Sequence, residues 1–569
     1  MHDSISTIKT IEISQLKTVL DAFLTNIDTA PVNLLAGAHG EAQVITRREL
    51  FGRGCALAWK FKTLGVEPGD KVMTVLPTGK PFLVSVFGSW LSGAAIIPVA
   101  PPAPGVASEY YERKLASMIR TGQPKLIVAC DAVSDALKNL SELTSNTHIL
   151  RDTDVLFDFV GEPQLPHVPQ PDEIAHVQFT SGSTSFPKGA AITHEQLEAN
   201  VRNIGKIVVD GKPADELVVS WLPVHHDMGF IGGLGFPFYH GCDLHLIPTE
   251  NFIRNPAIWL KTISDARATL SPAPTFSYDL LGSRVSDARL QGIDLSSWRY
   301  AWVGAEPIFL KTLQRFNERF ARCGLRETTL KPCYGLAEAT LAVSLTPLSD
   351  AYKVAWINQK SLREDGFAEA ASENAEGAVP ITCCGVTIDE TEVKIADESG
   401  KEIEERGQGR IFVRGASVMQ GYLGDVQSPI SADGWLNTGD LGFRIGEEIY
   451  ITGRAKDLII RGGVNIHPQE IEKIADQVED VRMGTATAFS CVRHDKGREE
   501  IILVVETRQK DETVKQKITE EIRRAVIDRA SVQLDHIELA APGTVPKTTS
   551  GKIQRGLCRE NFLKNSNGN

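Results

Sequence analysis

The sequence predicts an α/β protein: a large N-terminal domain of parallel-type sheets covered by helices, carrying a small β unit, then a small α+β C-terminal domain. Three observations carry this reading. At 569 residues the chain is too long for one compact core, so two domains or more are expected. Over roughly the first 300 residues, short runs rich in Val, Ile and Leu alternate with longer amphipathic stretches, the pattern of parallel strands covered on both faces. Between Thr382 and Thr452 the texture changes to alternating strands with Gly-rich turns.

Taken in order, the strands of the first region are K-V-M-T-V-L-P from Lys71, K-L-I-V-A-C from Lys125, E-L-V-V-S-W-L from Glu216 and Y-A-W-V-G from Tyr300. The stretch Pro81 to Ser108 is uncharged and long enough to suggest a membrane span. Gly88, Gly93, Pro98, Pro101, Pro102 and Pro104 divide it, so it reads as a buried helix, a tight turn and a buried strand. Residues Ser349 to Val379 are polar, weakly periodic and read as an insertion. G-R-I-F-V-R-G and E-E-I-Y-I-T-G then supply the small β unit. A boundary near Gly453 divides the chain into 1–452 and 453–569. Beyond it come a helix over Glu470 to Val478, strands at Ala486 to Val492 and Ile501 to Glu506, and a helix from Thr513. In that last helix Val514, Ile518, Ile522 and Val526 mark one buried face.

Composition narrows the partners. A net charge of -12 argues against nucleic acid or an anionic membrane. From Gly453 onward there are 20 Lys and Arg against 18 Asp and Glu, so the C-terminal part is slightly basic on an acidic body. Nine cysteines without a C-x-x-C spacing fit reduced thiols better than disulfides or zinc. The N-terminus lacks the layout of a signal peptide, and a soluble, cytoplasmic protein with no stable membrane insertion is expected.

The most informative string is T-S-G-S-T-S-F-P-K-G, Thr180 to Gly189, directly after the apolar V-Q-F. Backbone amides and hydroxyls of Thr180, Ser181, Gly182, Ser183 and Thr184 can converge on phosphate oxygens, and Lys188 adds a point charge. T-S-G-S alone would be an ordinary turn. A Walker A loop is absent.

This string resembles the phosphate loop of the adenylate-forming superfamily. Six further signatures follow in that family's order: H-H-D-M-G from His225, V-G-A-E-P from Val303, Y-G-L-A-E-A-T from Tyr334, T-G-D from Thr438, G-R-A-K-D from Gly453 and P-K-T-T-S-G-K from Pro546. The resemblance spans about Phe179 to Lys552 and implies ATP and Mg²⁺. Tyr334 would stack on adenine, with Gly335 beside it and Gly304, Ala305 and Glu306 lining the base pocket. Glu338 would hold Mg²⁺ against the phosphates. Asp440 would accept from both ribose hydroxyls, Arg454 would lie near ribose and phosphate, and Lys456 would occupy the hinge. Lys552 would reach the α-phosphate and the carboxylate, assisted by Thr184. In that family the C-terminal domain swings about the hinge after adenylation.

H-H-D-M-G-F-I-G-G, G-L-A-E-A-T-L and the insertion are similar to fatty acyl-AMP ligases, which pass the acyl group to the phosphopantetheine thiol of an acyl carrier protein. Their insertion packs on the N-terminal domain. R-G-G-V-N-I-H-P-Q-E from Arg461, with Gly462, Gly463 and His467, looks closer to acyl-CoA synthetases, so coenzyme A stays open as acceptor. Trp221, Met228, Phe230, Ile231, Gly232 and Gly233 would suit an alkyl chain, and His226 would either close the pocket end or pack as a core histidine. The expected activity is ATP-dependent adenylation of a fatty acid. A medium- or long-chain acyl-CoA synthetase and a non-catalytic acyl-nucleotide binding module are the competing readings.

Overall fold

The computed structural model describes residues 17–29, 31–34, 43–102, 108–156, 165–180, 187–424, 427–461, 464–493, 498–530, 532–548 and 552–566. The apolar runs form strands as expected: Lys71–Val75, Leu126–Ala129, Leu217–Ser220 and Tyr300–Gly304.

Two sheets build the N-terminal domain. In the seven-stranded one, Lys71–Val75 lies between Ala95–Val99 and Leu126–Ala129, all parallel. Ile174–Thr180 joins parallel to Ala95–Val99, and Lys188–Thr193 folds back antiparallel on it. The uncharged stretch after Pro81 is the helix Lys80–Leu91, a turn at Gly93 and the strand Ala95–Val99. Phe82 to Leu91 are all buried, so this helix is apolar all round because protein surrounds it. It packs closely on the helix Arg47–Thr63: a Cβ on Gly54 would sit 2.3 Å from Phe87 Cβ, and one on Gly88 would sit 2.8 Å from Leu57. No helix among the described residues is long and apolar enough to cross a membrane.

The second sheet has 14 strands and changes character midway. One half is parallel, from Val32–Leu34 through Asp243–Leu246, Leu217–Ser220, Leu270–Pro274 and Tyr300–Gly304 to Leu330–Gly335. The other half is antiparallel: Ala342–Leu345, Ala378–Thr387, Glu448–Arg454, Leu436–Ile445, Gly409–Gly415 and Thr391–Ala396. The β unit expected at 382–452 is present, and its strands are continuous with the parallel half. Alternation identifies a strand and its wet face but not its partner, and Leu330–Gly335 takes a parallel neighbour on one side and an antiparallel one on the other.

The segment read as an insertion has structure of its own. Val354–Asn358 pairs antiparallel with Ala378–Thr387, and the helix Gln359–Glu364 follows. Ile357, Leu362 and Ala368 form a small core with Cys383, Phe443 and Tyr450 of the large sheet.

Glu448–Arg454 is the last strand of the N-terminal sheet, and Ile459 is the first residue of a separate core. There the three-stranded sheet Thr487–Arg493, Arg498–Glu506, His536–Ala540 packs against the helices Pro468–Ala475 and Glu512–Ala530. Ile518, Ile522 and Val526 face this core, with Val514 partly buried at its edge. The two domains meet through the insertion: Arg363 pairs with Glu470 and donates to the Ala530 carbonyl at 2.7 Å, and Gln359 donates to Glu470 at 3.1 Å. Lys473 lies 4.3 Å from the Phe309 ring across the same divide.

Candidate active site

A cavity of about 1690 Å³ opens between the two domains, and most of the sequence motifs converge on it. The strands Ile174–Thr180 and Lys188–Thr193 hold the ends of the phosphate loop in register, Thr180 opposite Lys188. Thr180 faces the cavity. Ser181, Gly182, Ser183 and Thr184 lie outside the described residues, as do Gly462 and Gly463.

H-H-D-M-G runs from a turn at His225 and His226 into a π-helix, Met228–Gly235. Asp227 caps it, accepting from the Met228 amide at 2.7 Å, and pairs with His226 Nδ1 at 2.5 Å. Burial opposes ionisation of Asp227, but His226 and, further off, the Lys552 ammonium outweigh it and hold the carboxyl well below the usual range. Gln178 fastens this turn to the phosphate strand: its amide donates to the His225 carbonyl at 3.0 Å and its oxygen accepts from His176 Nε2 at 3.0 Å. His176 stacks on Phe230, centroids 4.2 Å apart, and burial pulls its pKa down to about 4.

Across the cavity, the turn after Tyr300–Gly304 carries Ala305, at φ +66°, and Glu306, whose carboxylate accepts from the Phe276 amide at 2.5 Å. Burial raises the Glu306 pKa, opposed by that amide and by Lys552 and Lys547. Gly304 does not line the cavity; a Cβ there would meet Cys333 Sγ at 2.7 Å, so the glycine lets two neighbouring strands close up. Gly335 is more constrained still, since a Cβ would lie 1.8 Å from the Leu341 carbonyl oxygen.

Tyr334 is buried and donates its hydroxyl to Asp440 Oδ2 at 2.7 Å. Asp440, 5% exposed, also meets Arg454 Nε at 2.9 Å, its partner directly across the strand pair. These three side chains form a polar floor with apolar walls, suited to a ribose and a flat base. Glu338 stands on the short turn Ala337–Ala339 and accepts from the Tyr422 hydroxyl at 2.6 Å, leaving its second oxygen for another partner. No group of three or more His, Cys, Asp or Glu among the described residues could hold a metal alone. A Mg²⁺ that keeps waters and phosphate oxygens needs only one or two carboxylates, so Glu338 fits that donor set. Lys456 lies between the domains in the turn Ala455–Asp457, its pKa lowered by burial. Lys552 lines the cavity, and its carbonyl accepts from the Thr548 amide at 2.7 Å.

The alkyl wall differs from expectation. Met228 and Gly232 line the cavity, whereas Trp221, Phe230, Ile231 and Gly233 do not. Residues four apart share one helix face, so only that pair turns inward. Trp221 stacks instead on Phe252 at 3.6 Å, and a Cβ on Gly233 would strike Ser220 Oγ at 2.7 Å. Further apolar lining comes from Ile204, Phe236, Trp302 and Leu345, which no motif contains, and from Leu341 at the end of G-L-A-E-A-T-L.

This fold, with seven motif segments in order around an interdomain cavity, defines an adenylate-forming ligase. The chain belongs to the AMP-binding enzyme family: residues 26–423 match the AMP-binding enzyme model and 463–557 its C-terminal domain model. It is 31% identical over 543 residues to a putative acyl-CoA synthetase of Caulobacter vibrioides, covering 94% of this chain and 93% of that one. It is 30% identical over 555 residues to the long-chain-fatty-acid–AMP ligase FadD26 of Mycobacterium marinum, covering 92% of each. A solved structure from work on fatty acyl-adenylate ligases of E. coli and L. pneumophila superposes with a TM-score of 0.90 at 32% identity, over 98% of this chain and 100% of that one.

Proposed function

We propose that the protein adenylates a fatty acid with ATP and then delivers the acyl group to the phosphopantetheine thiol of an acyl carrier protein. The observation that carries the first step is one continuous cavity. It joins an apolar end at Met228, Gly232, Phe236 and Trp302 to a polar floor at Tyr334, Asp440 and Arg454, with Lys552 facing in. The fatty carboxylate is ionised at neutral pH and needs no general base. Its oxygen attacks the α-phosphorus, the bond to the β-phosphate breaks, and pyrophosphate leaves with the electron pair. Asp440 and Tyr334 fix the nucleoside, Lys552 and Thr184 meet the charge developing on the transferred phosphoryl group, and His226 closes the acyl end. Mg²⁺ at Glu338 supplies charge neutralisation on the phosphates. A domain boundary just after Arg454, two residues beyond the 452/453 expected from sequence, with Lys456 as hinge, lets the C-terminal domain withdraw Lys552 before the thiol arrives.

Support for a carrier protein over coenzyme A comes from relatives such as the medium-chain-fatty-acid–[acyl-carrier-protein] ligase JamA of Moorena producens, 30% identical over 549 residues. The insertion also touches the C-terminal domain through Arg363 and Gln359, a restraint on its rotation.

The test incubates the protein with ATP, Mg²⁺ and a panel of fatty acids, with no acceptor, with coenzyme A or with phosphopantetheinylated carrier protein, and reads products by mass spectrometry. Acyl-AMP that persists beside coenzyme A but is consumed by carrier protein is the expected result. Efficient acyl-CoA formation overturns the acceptor, and absence of ATP–pyrophosphate exchange overturns adenylation.

A further inference from the structure

The strand Gly421–Tyr422 is only two residues long, yet with its flanking residues it ties the strand Lys188–Thr193 to the turn Ala337–Ala339, far apart in sequence. On one side it pairs antiparallel with Ala190 and Ala191, just past Lys188. Gln420 N and Leu423 N donate to the Ala191 and Gly189 carbonyls at 3.2 and 2.8 Å. On the other side Met419 N donates to the Glu338 carbonyl at 2.9 Å, and Thr340 Oγ1 to the Ser417 carbonyl at 2.6 Å. Between these attachments stands the Tyr422 side chain. Its hydroxyl donates to Glu338 Oε1 at 2.6 Å, and its ring lies 5.0 Å from the Lys188 ammonium.

We infer that Tyr422 is a positioning residue for the metal and phosphates: its hydroxyl pins one oxygen of Glu338 so that the other points at Mg²⁺, while its ring holds the Lys188 ammonium beside the phosphate loop. This rests on the reading of Glu338 as the Mg²⁺ ligand. Glu338 needs such a brace, because a glutamate has three rotatable bonds and the turn beneath it is only three residues long. A carboxylate held by one oxygen binds a hard cation through the other, and hydrogen-bonded partners of ligands tune metal affinity in this way. A tyrosine hydroxyl, with an ordinary pKa of about 10, is unionised at neutral pH and donates to the carboxylate. The ring face attracts an ammonium by its quadrupole, so one side chain links the loop cation to the metal carboxylate.

The experiment titrates Mn²⁺ into the full-length protein with a non-hydrolysable ATP analogue and follows free Mn²⁺ by electron paramagnetic resonance. Tyr422→Phe keeps the ring and loses the hydroxyl; Mn²⁺ binding weakens about 10-fold, while metal-free binding of the analogue and the melting temperature stay at wild-type values. Tyr422→Leu removes the ring too and weakens the analogue even without metal. Glu338→Gln serves as reference. If Glu338→Gln binds Mn²⁺ like wild type, the Mg²⁺ reading fails and this inference with it. If Glu338→Gln weakens Mn²⁺ and Tyr422→Phe does not, the Tyr422 inference alone is overturned.

Discussion

Asp440→Asn separates holding a nucleotide from holding the fold. The side chain is 7% exposed, accepts from Tyr334 Oη at 2.7 Å and meets Arg454 Nε at 2.9 Å. Asparagine has the same shape, and its oxygen still accepts from Tyr334. What the fold loses is the charge pair with Arg454, whose side chain is 48% exposed. Such pairs contribute ~0.2–1 kcal/mol, so stability falls by less than about 1 kcal/mol. The ribose loses more. Hydrogen bonds to a charged acceptor are worth ~1.5–3 kcal/mol each, and the amide turns a donor toward one of the two hydroxyls. Loss of one such bond predicts AMP binding weakened about 10- to 150-fold, at 1.4 kcal/mol per decade. Titration calorimetry with AMP, beside thermal melting of the same preparation, measures both quantities. AMP affinity within twofold of wild type, with the melt unchanged, would refute Asp440 as the ribose acceptor.

Arg363→Ala removes two charge-assisted hydrogen bonds, one to Glu470, which is 23% exposed and keeps its bond from Gln359, and one to the Ala530 carbonyl, at a combined local cost of about 3 kcal/mol. Hydrogen exchange in the helix Pro468–Ala475 should rise about 100-fold, and unchanged exchange would show that the insertion does not restrain that domain. Gly232→Leu projects into the cavity, where a Cβ would meet only Leu341 at 3.4 Å. Activity on long acids should fall at least about 10-fold more than on short ones; an equal loss across chain lengths would move the alkyl site elsewhere. For Asp476, burial raises the carboxyl pKa to about 7, against hydrogen bonds from Ala486 and Gly484 that lower it. The folded state therefore binds its proton more tightly than the unfolded state, so this group's stabilisation is present below pH 4 and lost as pH rises through 7. Asp476→Asn should flatten that decline and melt higher than wild type at pH 8, with parallel melting curves from pH 4 to 8 as the contrary result.

Much of this was legible before any coordinates, for identifiable reasons. Apolar runs such as Lys71–Val75 and Tyr300–Gly304 announce buried strands because both faces are covered, and glycines and prolines after Pro81 mark where helix gives way to strand. The strand before T-S-G-S-T-S-F-P-K-G was legible from V-Q-F, but sheet partners were not. Nothing in V-A-W-I-N at Val354–Asn358 names Ala378–Thr387 as its neighbour, and the segment's polarity concealed a strand. Aromatic residues near H-H-D-M-G suggested an alkyl pocket, yet helix phase decides which of them turn inward. Tyr422 escaped notice because its hydroxyl partner lies 84 residues away in the chain.

The pairing of Asp440 with Arg454 carries a thermodynamic consequence. Arg454 is the final residue of its strand, followed at once by the turn that holds Lys456. Under the proposed hinge at Lys456, the group that meets the proposed ribose acceptor is covalently the root of the C-terminal domain. If a tilt of that domain reorients Arg454, any nucleotide that prefers one orientation of Arg454 biases the tilt by an equal free energy. A ligand that traps one tilt should therefore change the affinity for AMP by the same factor as AMP changes the population of that tilt, a reciprocity open to direct measurement in both directions.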